Sequence, residues 1–197
     1  SSRSMKLIVG LGNPGREYTA TRHNAGTWWI SRLADQLNIT LKAEPRFHGL
    51  CARIGQGKSE LWLLNPQTYM NASGRAVAAL CRFYKIEPQQ MLVVHDELDL
   101  PPGTSRLKLD GGLGGHNGLK DIAAHLATRD FWRLRIGIGH PGDKNAVVNY
   151  VLQPPRREES VLIEEAIDRS LKVWPLIAQG NCQAAMMKLH TRDKEEK

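Results

Sequence analysis

A chain of 197 residues, 41% hydrophobic and 24% charged, has the composition of one ordinary globular domain, large enough to bury most of the surface it exposes when unfolded. Its 27 basic and 20 acidic residues leave a formal charge of +7, a surplus that points toward a polyanionic partner such as nucleic acid without identifying one. No apolar run approaches the roughly 20 residues of a spanning helix, and three scattered cysteines, Cys51, Cys81 and Cys182, exclude a disulfide framework or a C-x-x-C metal knuckle.

A cytoplasmic protein with buried thiols is therefore expected, with Ser1 to Ser4 as a cloning remnant before Met5. Residues 5–191 would form a single domain, and residues 192–197, with balanced charges, a tail. The first element is Leu7-Ile8-Val9, an apolar run of the kind that a parallel strand covered on both faces shows. Gly10, Gly12 and Gly15 follow with the G-x-G-x-x-G spacing of a dinucleotide site, and Asp35 lies about 20 residues on. The residues after the glycines contradict that reading. Arg16 to Asn24 has no apolar stripe and reads as a loop presenting Tyr18, Arg22, His23 and Asn24, whereas a nucleotide-binding helix would start within the motif. The first one-sided helical pattern is Trp28, Trp29, Ile30, Leu33, Ala34 and Leu37, and Asp35 falls inside it. What remains of the motif is an Asn-Pro-Gly turn that presents Asn13.

Leu50 to Ile54 and Glu60 to Leu64 read as a strand pair around Gly55-Gln56-Gly57. Gln67 to Asn71 is a second polar loop, and Ala76, Val77, Leu80 and Phe83 mark a helix that stops before Pro88. Met91 to Asp96 is an apolar strand that ends in two titratable residues, His95 and Asp96. Ser105 to Leu109 makes another, with Lys108 near its end. Residues 111–118 hold five glycines around His116 and Asn117, too many for the interior of a helix or strand. A helix through Leu119, Ile122, Ala123 and Leu126 follows, and then a strand from Phe131 to Ile138 with Arg133 and Arg135 on one face. After the loop 139–145 and the short apolar stretch Val147 to Leu152, a long helix runs from about Glu158 to Gln179. Val161, Ile163, Ala166, Ile167, Leu171 and Trp174 are its expected core contacts, and another helical turn or two is expected up to Leu189. Strands alternating with helices give an α/β fold around a mixed, mostly parallel twisted sheet.

In such sheets ligands bind beyond the carboxyl ends of the strands, so Asn13, Asp96 and the loops bearing His23, Asn71, His116 and Asn117 would meet in one cleft. One histidine, one aspartate, several asparagines and glycine-loop amides suit hydrolysis by activated water: the imidazole takes a proton, the carboxylate fixes its tautomer, and amide donors meet the oxyanion. No serine or cysteine stands in a G-x-S-x-G elbow, and the seven histidines show no metal-ligand spacing. Each residue also has a structural explanation: Asp96 and Asn71 as caps, Asn13 as the start of a turn, and the arginines as a solvated sheet face.

The segments GLGNPGREYTATRHNAG, PQTYMNASGRAV, HDELDLPPG, GGHNGLKD and RLRIGIGHPGD resemble the bacterial-type peptidyl-tRNA hydrolases from about Met5 to His190. That resemblance implies an α/β enzyme without cofactor or metal. It would cleave the ester between a peptide's carboxyl group and the 3′-terminal ribose of tRNA, recycling tRNA from prematurely released peptidyl-tRNA. Its partner would be peptidyl-tRNA. Independently of the resemblance, no membrane and no obligate protein partner are expected, and a monomer is the default. By position it implies His23 as the base, Asp96 as its orienting group, and Asn13 and Asn71 as positioning water, substrate and oxyanion. Asn117 would hold the peptide backbone, and Tyr18, Met70 and His116 would line the cleft. Lys108 and Arg135 would grip the terminal phosphate of the tRNA. Asp110, which follows Lys108-Leu109 where relatives usually have an uncharged residue, would weaken that grip. A non-catalytic tRNA-binding protein of the same fold is the alternative of a different class.

Overall fold

The computed structural model describes residues 4–195, with side chains through His190. Arg3 and its neighbours Ser1 and Ser2, and the end of the proposed tail, lie outside the described residues. One seven-stranded sheet in the order β2-β3-β4-β1-β5-β7-β6 organises the chain. Its centre is parallel: β1 (Leu7–Gly10) lies between β4 (Leu61–Pro66) and β5 (Met91–Glu97), and β5 is followed by β7 (Trp132–Gly137). Antiparallel strands close both sides, β3 (Gly49–Ile54) and β2 (Lys42–Glu44) at one edge and β6 (Ser105–Leu109) at the other.

Strand alternation sends neighbouring side chains to opposite faces, and each face has its own apolar layer. Leu7, Val9, Leu64 and Val93 pack with Ala76, Val77 and Leu80 of α2 (Ser73–Tyr84) and with Leu119 and Ile122 of α3 (Asn117–Leu126). Ile8, Leu92, Val94, Leu134 and Ile136 face Trp29, Ile30 and Leu33 of α1 (Ala25–Gln36) and Ile163, Ile167 and Leu171 of α5 (Arg157–Ala178). Burial on both faces explains why β1 and β5 read as continuous apolar runs rather than as alternating ones. The three cysteines are buried free thiols, as expected.

Four details differ from the expectations. Val161 is 51% exposed: it lies two positions, about 200° of helical rotation, from Ile163 and so faces away from the buried stripe. The stretch after Asn145 is a short helix, α4 (Val147–Val151). The last helix, α6 (Cys182–Glu195), is longer than a turn or two and continues into residues read as a tail. Among its described residues Cys182, Ala185 and Leu189 are the fully buried apolar ones, with Met186 packed beside them, too few for a clear periodic pattern. The edge strand β2 is three residues long and largely exposed, too short to leave a period-2 signal. Among the described residues no helix is long and apolar enough to cross a membrane.

Candidate active site

The glycines after β1 serve packing between backbones. A Cβ on Gly26 would lie 2.2 Å from the carbonyl oxygen of Val94, and one on Gly10 would lie 2.4 Å from that of Gly26. The start of α1 therefore rests directly on the ends of β1 and β5, where the Leu11 N–H donates to the Val94 carbonyl and the Thr27 N–H to that of Leu11. The 3-10 turn Arg22–Asn24 runs straight into α1, so this close approach brings His23 to the end of β5, beside Asp96.

His23 Nδ1 lies 2.9 Å from Asp96 Oδ2, and its side chain is 12% exposed. A carboxylate only accepts, so Nδ1 carries the proton, and Nε2 is the ring nitrogen without a protein partner among the described residues. Burial disfavours the imidazolium, but the charge and hydrogen bonds of Asp96 outweigh it and raise the His23 pKa above the ordinary imidazole value. Asp96 also accepts from His116 Nε2 at 2.8 Å. His116 caps α3: its Nδ1 accepts from the N–H groups of Gly118 and Leu119, at 3.1 and 3.3 Å, which fixes its proton on Nε2. Burial opposes the charge on Asp96, yet the two histidines hold its pKa well below the carboxylate range. The ligand atoms of His23, Asp96 and His116 lie within 4.8 Å of one another, but a metal ion could be held there only if both imidazoles gave up their hydrogen bonds to the carboxylate.

Asn13 is clasped on its main chain by Asn24, whose Oδ1 accepts from the Asn13 N–H at 2.9 Å and whose Nδ2 donates to the Asn13 carbonyl at 3.0 Å. Asn13 Oδ1 accepts from the Met70 N–H at 2.7 Å. That bond orients the amide and leaves its NH2 group as the donor available to a ligand. Asn13, His23, Met70, Asn71, Asp96, His116 and Asn117 all line one cleft of about 670 Å3. Asn71 lies in the 3-10 turn Met70–Ala72, and the N-cap of α2 is Ala72 rather than Asn71. Asn117 is the first residue of α3.

Three of the expected residues lie elsewhere. Tyr18 does not line the cleft but stands edge-on to Tyr69, which does, with ring centroids 6.4 Å apart. Lys108 and Arg135 line an adjoining side cavity of about 140 Å3, together with His95 and Glu97. Arg135 Nε donates to Glu97 Oε1 at 2.8 Å, whereas Lys108 is exposed. Asp110 makes no ion pair with Lys108 among the described residues; its charge acts on Arg133. Arg133 is buried and donates to the Phe131 and Gly111 carbonyls, pinning the glycine loop. Sequence reasoning gave no role to Asn24, Tyr69 or His95. Asn24, in the same loop as His23, had only its polarity to mark it, and its partner was identifiable only in the fold.

A family model described as peptidyl-tRNA hydrolase matches residues 7–197. The peptidyl-tRNA hydrolase of Nitrosospira multiformis is 83% identical over 188 residues, covering 95% of this chain and 98% of that protein. That of Nitrosomonas eutropha is 64% identical over 190 residues, covering 96% and 97%. The crystal structure of peptidyl-tRNA hydrolase from Acinetobacter baumannii superposes with a TM-score of 0.92 at 49% identity, covering 96% of each chain. The chain belongs to the peptidyl-tRNA hydrolase family.

Proposed function

We propose that this protein hydrolyses the ester between the peptide carboxyl group and the 3′-terminal ribose of peptidyl-tRNA, with water activated by His23, and so recycles tRNA from prematurely released peptidyl-tRNA. The observation that carries the mechanism is the His23–Asp96 contact of 2.9 Å at the wall of the cleft, and family membership supports the substrate. Nε2 of His23 takes a proton from water as the water oxygen bonds to the ester carbonyl carbon. The imidazolium is stabilised by Asp96, and the oxyanion of the tetrahedral intermediate accepts from the NH2 group of Asn13, with Asn71 nearby. The C–O bond to the ribose then breaks, and the leaving oxygen takes the proton back from His23. Free peptide acid and tRNA result, and the imidazole returns to its starting form. Asn117 would hold the peptide backbone, and Met70, His116 and, through Tyr69, Tyr18 would shape the cleft around it. Lys108 and Arg135 would meet the terminal phosphate from the adjoining cavity.

The test is His23→Ala, assayed by hydrolysis of an N-acetylated aminoacyl-tRNA and by tRNA binding. Turnover should fall by roughly 10²–10⁴-fold, the usual worth of a general base, with tRNA affinity and melting temperature near wild type. Undiminished turnover would refute the role of His23 and favour water activation by another group, whereas tRNA binding by a wild-type protein that does not hydrolyse the ester would favour the non-catalytic alternative.

A further inference from the structure

His95 precedes Asp96 on β5 and is 1% exposed. Strand carbonyls alternate in direction: that of Val94 accepts from Leu11 on the β1 side, and that of Glu97 accepts from Ile138 on the β7 side. The Asp96 carbonyl therefore points toward β1, beyond the last rung of that ladder. His95 supplies the missing donor, with Nδ1 2.8 Å from the Asp96 carbonyl oxygen. The same ring stands edge-on to His116, with centroids 5.1 Å apart and an interplanar angle of 69°, and His116 in turn donates to the Asp96 carboxylate. His95 thus supports Asp96 at its main chain and through its second imidazole partner.

Packing does not explain this imidazole. Its neighbour two positions back on the same face is Val93, part of an apolar layer. His95 Nε2 is buried with no protein partner, in a wall shared by the cleft and the side cavity. An unsatisfied buried acceptor is costly, and an aliphatic side chain would avoid that cost. Burial and the nearby His116 push the His95 pKa down to about 3, so the ring stays neutral and keeps its single proton on Nδ1.

We propose that His95 is a positioning residue for hydrolysis: it completes the hydrogen bonding of the Asp96 main chain and braces His116, and thereby sets the carboxylate that orients His23. This inference rests on the assignment of His23 and Asp96 made above. The test compares His95→Leu, His95→Asn and His95→Gln with wild type and His23→Ala, using N-acetylated aminoacyl-tRNA hydrolysis, melting temperature and the pH profile of kcat/KM. An asparagine amide nitrogen falls near the place of Nδ1, and a glutamine amide nitrogen near that of Nε2.

His95→Leu should lower kcat about tenfold or more with KM changed by less than about twofold, since misplacing a catalytic group affects the reacting state rather than binding. Its acid limb should move to lower pH as Asp96 loses part of its hold on His23. His95→Asn should keep kcat within about threefold of wild type and leave the acid limb in place, whereas His95→Gln should behave as the leucine variant. Wild-type kcat in His95→Leu would overturn the inference, as would rescue by glutamine but not asparagine. If the leucine variant does not fold, the comparison of asparagine with glutamine decides in the same way. A fully active His23→Ala would overturn the site assignment itself, whereas an inactive His23→Ala beside a wild-type-like His95→Leu would overturn this inference alone.

Discussion

At Asp96 two imidazole N–H groups converge on one buried carboxylate, but they arrive with different freedom. His116 is locked: its other nitrogen already accepts two main-chain N–H groups at the start of α3, so protonating it would set a proton against those donors. His23 has no such lock, because its second nitrogen has no protein partner among the described residues. Of the pair, only His23 can accept a proton without breaking an existing bond. The direction of its pKa shift then sets the pH dependence. In the proposed mechanism the neutral ring is the base, and the net effect of burial and of Asp96 is to raise its pKa, so kcat/KM should fall as the pH drops through a value above that of an ordinary imidazole. In Asp96→Asn the burial remains while the charge is lost, which lowers the His23 pKa. The acid limb should therefore move to lower pH while the maximal rate falls by roughly 10²-fold or more. A pH–rate profile whose acid limb does not move would show that Asp96 does not control the proton on His23.

At the scale of elements, the contact that makes the site is the seating of α1 on the ends of β1 and β5. Gly26→Ala tests it: the added Cβ would lie 2.2 Å from the Val94 carbonyl oxygen and 2.5 Å from the Leu11 nitrogen, both main-chain atoms that cannot rotate away. The helix must lift, at a cost of about 1–3 kcal/mol by analogy with overpacked cores. The melting temperature should fall by several degrees, about 2–4 °C per kcal/mol for a chain of this size, and activity should fall further as His23 leaves Asp96. A variant with wild-type stability and turnover would show that this contact does not position His23. Most elements were legible beforehand because their apolar residues repeat with the period of a helix or fill a doubly covered strand. The strands around β1 and β5, and helices α1, α2, α3 and α5, follow from those patterns. What escaped had too little buried surface to leave a pattern, as with β2 and α6, whereas Val161, about 200° from Ile163, stands off the buried stripe by its spacing alone. The site divides in the same way. Asn13, His23, Asp96, His116 and Asn117 stand at strand ends and in glycine loops, where an open sheet gathers its ligands. The roles of Asn24 and His95 depend on which main-chain groups lack ladder partners, and no local pattern records that.

For the whole molecule, the charge surplus of +7 needs a location before it can be an argument about RNA. Residues Lys108 and Arg135 supply one, lining a cavity beside the cleft that holds His23 and Asp96. Their states differ. Arg135 is half-buried and tied to Glu97, so its charge is largely neutralised in place and a phosphate must compete for it. Lys108 is exposed and has no ion pair among the described residues. The Asp110 carboxylate, two positions on in the sequence, makes no ion pair with it among the described residues; its charge acts on Arg133, and its left-handed backbone, at φ 64°, lies at the end of β6. Of the two, Lys108 is therefore the cation that can neutralise a phosphate, and so release a counterion from the RNA, without first giving up an ion pair. If it contacts the tRNA, the logarithm of the affinity should fall linearly with the logarithm of salt concentration, and Lys108→Ala should reduce that slope by about one unit while leaving the rate at saturating substrate within about twofold. Binding titrations across a salt series measure both. A wild-type slope near zero would remove the phosphate contact, and an unchanged slope in Lys108→Ala would move it to other cations of the surface.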